Sequence, residues 1–142
     1  MAIESAMRDF LLADAGVAAL VAARGYQLRF PQSPTYPAFR VLLVDDPAQY
    51  THDGPNELRQ ATVQIDAVTQ ESSGADPYEN VLALTDAIDG AASGYRGSMG
   101  SESPAVTVQG VFRTGRIPTY DPDELRVVRM ILTYQVWYLT TA

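Results

Sequence analysis

The 142-residue chain contains no cysteine and no lysine, and it has a single histidine and a single tryptophan. Without cysteine, disulfides and thiolate metal sites are excluded, and the redox compartment leaves no trace in the sequence. Without lysine, the phosphate-binding loop that depends on one is excluded as well. All ten basic residues are arginine, whose planar fork suits ion pairs at interfaces. Long apolar runs are also missing. Stretches such as "VAALVAAR" (17–24) fall far short of the roughly 20 residues a membrane helix needs. Positive charge is scarce, with 17 acidic residues against ten arginines and a net charge of -7. Proteins that grip nucleic acid cluster cations against phosphate, and no such cluster occurs here. Tight DNA binding is therefore disfavoured. The opening "MAIESAMRDFLLADAG" has acidic residues where a signal peptide needs positive charge, so a cytoplasmic product is expected.

What is present describes one globular domain over residues 1–142. Apolar content of 46% and charge of 19% are ordinary for a folded chain. Ile3, Met7, Phe10 and Leu11 recur at helical spacing. Asp14 then suits the N-cap of a second short helical piece that Gly25 closes. "YQLRF" (26–30) reads as a short strand stopped by the proline-rich 31–37. "AFRVLLVD" (38–45) reads as a strand buried on both faces, because apolar residues fill nearly every position. Residues 45–56 read as a polar loop with Asp-Pro and Gly-Pro punctuation. From Arg59 the alternation is clean: Ala61, Val63, Ile65 and Ala67 face a core, and Gln60, Thr62, Gln64 and Asp66 face water.

The best-signalled element follows. In "ADPYEN" (75–80), Asp76 can cap, Pro77 suits the first turn, and Glu79 completes a capping-box pattern. Val81, Leu84, Ile88 and Ala91 then form a buried stripe, and Gly94 ends the helix. "GYRGSMGSESP" (94–104) reads as loop, "AVTVQGVFR" (105–113) as strand, "TGRIPTYDPD" (114–123) as a long connection, and 124–139 as a final long strand. This order predicts an α+β fold: an antiparallel sheet of about four to five strands with two main helices on one face.

Chemistry is thin. His52 stands beside Asp53, but no serine or cysteine motif accompanies them, and a triad is recognised by roles and geometry. A loop histidine that contacts a partner is the better reading. Asp45, Asp46, Asp121, Asp123 and Glu124 are oxygen ligands suited to a hard cation, yet their spacing matches no calcium loop. Asp-Pro turns explain both groups without metal. A metal-assisted hydrolase built on Asp45, Asp46, Asp121 and Asp123 stays as an alternative. Gly94, Gly97 and Gly100 follow a helix, whereas a phosphate cradle has to precede one. Trp137 and Tyr138 point to opposite faces of the last strand, so one can leave the core and anchor a subunit contact.

"LLADAGVAALV" (11–21), "YPAF" (36–39), "THDGPNELRQATVQIDAV" (51–68), "VTVQGVF" (106–112) and "RVVRMILTYQVWY" (126–138) together resemble the tail completion family of long-tailed phages, also called tail terminator or head-to-tail joining proteins. The similarity runs through nearly the whole chain in order. The segment "GSESP" (100–104) is longer than the family pattern, so the role of the loop at 94–104 stays open. The resemblance implies a ring-forming subunit, typically six copies, that caps the tail tube and ends its polymerisation. It also implies a joint to the head connector or stopper protein, with DNA passing through the lumen without sequence-specific binding. It implies no catalytic residues, no metal, no cofactor and no membrane, and a place in the virion at the head-tail junction after assembly in the host cytoplasm. A neighbouring neck or head-completion role is the alternative. The negative charge suits a channel through which DNA slides. Long loops at 45–57 and 114–124 suit partners above and below the ring. Tyr50, His52, Asp53, Gly54, Pro55, Arg113, Arg116, Tyr120 and Trp137 are the expected interaction residues.

Overall fold

A computed structural model describes residues 2–48, 50–52, 54–55, 57–71, 76–101, 105–120 and 126–139. Among the described residues, three helices, α1 (Ile3–Ala13), α2 (Ala15–Val21) and α3 (Pro77–Ala92), accompany eight strands. These are β1 (Gly25–Gln27), β2 (Ala38–Asp45), β3 (Tyr50–Thr51), β4 (Gly54–Pro55), β5 (Leu58–Gln70), β6 (Gly97–Met99), β7 (Val106–Tyr120) and β8 (Val127–Leu139). Six of them form one sheet in the order β1-β2-β5-β8-β7-β6, while β3 and β4 pair only with each other. The class is α+β as expected, but the sheet has six strands, not four to five. It is also mixed, because β1 runs parallel to β2.

The core follows from period-two alternation on the two central strands. Ala61, Val63, Ile65 and Ala67 of β5 lie opposite Val136, Tyr134, Leu132 and Met130 of β8, and all eight are buried. Against this face pack Ile3, Met7 and Leu11 of α1, Val17 and Val21 of α2, and Val81, Leu84 and Ile88 of α3. A register slip of one residue would turn every one of the strand side chains to the other face, so the pairing is strongly specified. The Asp14 side chain accepts from the Val17 N–H and starts α2, and Asp76 accepts from the Tyr78 N–H and starts α3. Gly94, at φ 77°, follows α3 and donates its N–H to the Val111 carbonyl, which ties the helix end to β7. The buried stripe of α3 ends on Ala92, with Ala91 only partly covered.

Several expectations need correction. Gly25 does not close α2, which ends at Ala22 with φ 54°. It opens β1 instead, lying so close to the Phe39 ring that a Cβ would sit 2.5 Å from it. β2 is not buried on both faces: Phe39 and Val41 are covered, but Leu43 and Val44 emerge near a register shift at its far end. The wet face of β5 is partly dry, since Asp66 is buried.

Within 94–104, residues 97–99 form β6, antiparallel to Val106, Thr107 and Val108 and anchored by the buried Met99. Only one apolar residue marked that strand, so partner pairing and not propensity makes it. Residues 114–120 are not a connection. They continue β7 to Tyr120, and the strand stays paired with β8 as far as Val128. Register shifts at Val108/Gly110 and Arg113/Gly115 break the alternation, which hides the strand from a period-two reading. Pro118 is tolerated because β7 is covered by β6 at only three positions and is otherwise an edge among the described residues.

Candidate interaction surface

The sheet has a helix-covered face and an outer face, and the alternation of β8 decides what each presents. Val136 and Tyr138 point into the core, so Trp137 and Leu139 point outward. With Leu58, Gln109 and Phe112 they line an open, mainly apolar groove of about 640 Å³. Phe112 is 54% exposed and Ile117, on the same face further along β7, is 60% exposed. Beside the groove runs a polar ladder: Gln60 donates to Gln135 at 2.9 Å and Gln135 donates to Thr62 at 2.9 Å. Trp137 therefore leaves the core as expected of one of the two terminal aromatics. Leu58, Phe112 and Leu139 join it only through strand pairing, which places Leu58 and Thr107 on either side of Leu139.

The other expected residues do not converge on one place. His52 is exposed at the turn that follows β3, on the small hairpin outside the main sheet. Tyr50, Gly54 and Pro55 supply the backbone of that hairpin, with Tyr50 opposite Pro55 and Thr51 opposite Gly54. Asp53 lies outside the described residues. Arg113 and Arg116 sit on β7 and not on a loop. Arg113 binds Asp89 of α3 at 3.1 Å, and Arg116 approaches Asp86 at 3.6 Å. Asp89 also accepts from the Tyr134 hydroxyl at 2.8 Å. Burial, reinforced by the Asp89 hydrogen bond and charge, pushes that phenol far above its ordinary value. Tyr120, 63% exposed, lines a shallow groove with Tyr78, Pro118, Thr119 and Val128 near the start of α3.

Of the acidic candidates, Asp45 and Asp46 lie among the described residues. Tyr138 donates its hydroxyl to Asp46, and burial together with that carboxylate pushes the phenol well up. Asp45 is exposed at the end of β2. Asp121, Asp123 and Glu124 lie outside the described residues. Among the described residues no cluster of three or more metal-ligating side chains occurs.

One polar group was hidden from sequence reading altogether. Asp66 accepts from Arg40 at 2.7–2.8 Å and from Gln64 at 2.8 Å while 1% exposed. Arg40 also reaches the Leu28 carbonyl and lies over the Phe30 ring, fastening the segment after β1 across the outer face. No signal in sequence spacing links Arg40 to a residue 26 positions away.

Fold and surface together define a small α+β protein whose outer sheet face carries an apolar, aromatic groove. Residues 5–139 match the family model of the tail completion protein gp17, and the chain belongs to that family. It is a structural tail protein of a phage-type virion. Among solved structures it is similar to a chain of the virion of a native gene transfer agent (GTA) particle, with a TM-score of 0.70 and 18% identity. That match covers 97% of this chain and 95% of the other. At that identity the likeness speaks for the fold. None of the curated proteins searched matches.

Proposed function

We propose that this protein forms a ring, typically of six copies, that caps the tail tube, ends its polymerisation and makes the joint to the head connector. DNA passes through the ring during ejection, and the subunit performs no reaction. The family match over nearly the whole chain carries this reading. Physical features support it. A net charge of -7 per subunit disfavours retention of DNA in a lumen, because like charges repel. The outer-face aromatics Phe112 and Trp137 are residue types enriched where proteins meet. The hairpin carrying His52 pairs with no strand of the main sheet, which supports a role for it in contacts with a neighbour or the tube.

The decisive experiment is electron microscopy of particles carrying a tagged copy, together with particles made without the protein. Label at the junction of capsid and tail, with unjoined tails of irregular length in its absence, is the expected outcome. Label elsewhere on the particle would end this reading.

A further inference from the structure

Among the described residues, β7 has one long unpaired flank. β6 covers only its first three residues, Val106, Thr107 and Val108, and the Gly94 N–H reaches Val111. From 112 to 120 no strand lies on that side, although β8 pairs with the other side throughout. A row of unsatisfied N–H and C=O groups is a template for another strand. It is flanked by the exposed side chains of Phe112, Ile117 and Tyr120.

The same chain displays a strand pair without a sheet. β3 and β4 are two residues long each, pair only with each other, and join no strand of the main sheet. An isolated two-stranded hairpin is marginal in water and needs a surface to rest on. Its own β7 flank is out of line. Leu58, just after the hairpin, is level with Leu139, while Phe112 is level with Gln135 and Tyr120 with Val128. These lie roughly 13 and 36 Å further along the sheet at about 3.3 Å per residue, and β8 and β7 lie between.

We propose that the 112–120 flank of β7 receives the β3–β4 hairpin of a second copy of this chain. Length and charge both favour that occupant. The register shift at Arg113/Gly115 and the missing N–H of Pro118 bracket Arg116 and Ile117, a stretch matched to a two-residue strand and unsuited to a long one. By sequence, the hairpin segment 50–55 holds one acidic residue and no arginine, whereas 112–120 holds two arginines and no acidic residue, Arg113 being paired with Asp89. Arg116 keeps a loose surface pair with Asp86, which is 71% exposed, so its charge is not spent within the subunit. Donor and acceptor occupy different parts of one surface, so the contact is heterologous and propagates until rotation closes it. This deepens the ring reading and rests on it.

The absence of native cysteine makes a direct test clean. Thr51→Cys and Ile117→Cys, combined in one chain and treated with a short bifunctional thiol reagent in intact particles, should give a ladder of covalent multimers. Mixed single variants should give dimers only. Thr51→Cys with Ser93→Cys, on the exposed end of α3, is the control. Yields no higher than the control, or a link closed within one chain, would overturn the proposal. If sizing in native particles still shows a ring at the tail end in that case, the functional reading survives while this contact does not. If the ring itself is missing, both fall.

Discussion

Single side chains in this protein show their roles most clearly where burial meets charge. Tyr134 is fully buried, and its hydroxyl rests on Asp89. Its phenol keeps a proton that the unfolded chain releases above about pH 10. The stabilising contribution is therefore intact below about pH 10 and is lost as the pH climbs toward the raised folded-state value. Tyr134→Phe should cost about 1.5–3 kcal/mol in urea denaturation at neutral pH, the value of a hydrogen bond to a charged group. It should also flatten the alkaline fall in stability, leaving the part due to Tyr138, which is shifted in the same direction. Parallel alkaline losses in variant and parent would remove Tyr134 as a source. Gly25 is the second sensitive position. A methyl there meets Phe39 at 2.5 Å and Leu12 at 3.0 Å, and Phe39 is fully buried. Gly25→Ala should destabilise by about 1–3 kcal/mol, the range for overpacking, read as a lower denaturation midpoint at unchanged slope.

Elements divide by how much of their stability is local. α3 announces itself through Asp76, Pro77 and Gly94, because capping is written in adjacent residues. β5 announces itself through clean alternation and β8 through a long run of apolar and aromatic residues. β6 and the far half of β7 do not, since bulges displace the period and Gly, Ser and Pro lower the intrinsic propensity. These segments are strands because β8 holds β7 and β7 in turn holds β6. The segment after β1 belongs to the same kind. It is fastened by Arg40, whose removal leaves the Asp66 carboxylate buried without a cation. Arg40→Leu should cost about 3–5 kcal/mol, the penalty of breaking a buried pair from one side. Limited proteolysis should then cut within 28–37 faster than in the parent. An unchanged cleavage rate would mean that the segment is held by other contacts.

At the scale of the whole molecule, stability and assembly should separate. The β3–β4 hairpin stands outside the six-stranded sheet, so replacing Asp53-Gly54-Pro55 with a flexible linker should leave the melting temperature nearly unchanged. The same replacement should impair joining of tails to heads, scored by infectivity and by counting free tails. Normal joining would remove the hairpin from the interface. The charge balance makes a further prediction. With a net charge of -7 and no cation cluster in the sequence, the isolated protein should show no retention on immobilised DNA even at low salt, where electrostatic binding is strongest. Retention that weakens steeply with added salt would point to a basic surface and would contradict a lumen that lets DNA slide.

Residue order alone determined the class of fold, the two capped helix starts at Asp14 and Asp76, the core face of β5 and the absence of thiol chemistry. Each depends on neighbours within a turn of helix or a few strand positions, where the physics is local. Tertiary structure decided that 97–99 and 114–120 are strands, that Asp66 is buried against Arg40, and that Arg113 and Arg116 lie along α3. It also placed Trp137 in a groove with Leu58, Phe112 and Leu139. These depend on which strand lies beside which, and backbone pairing between distant segments leaves no regular spacing in the chain. The free flank of β7 belongs to the same group, because an edge exists only once the sheet that it borders has formed.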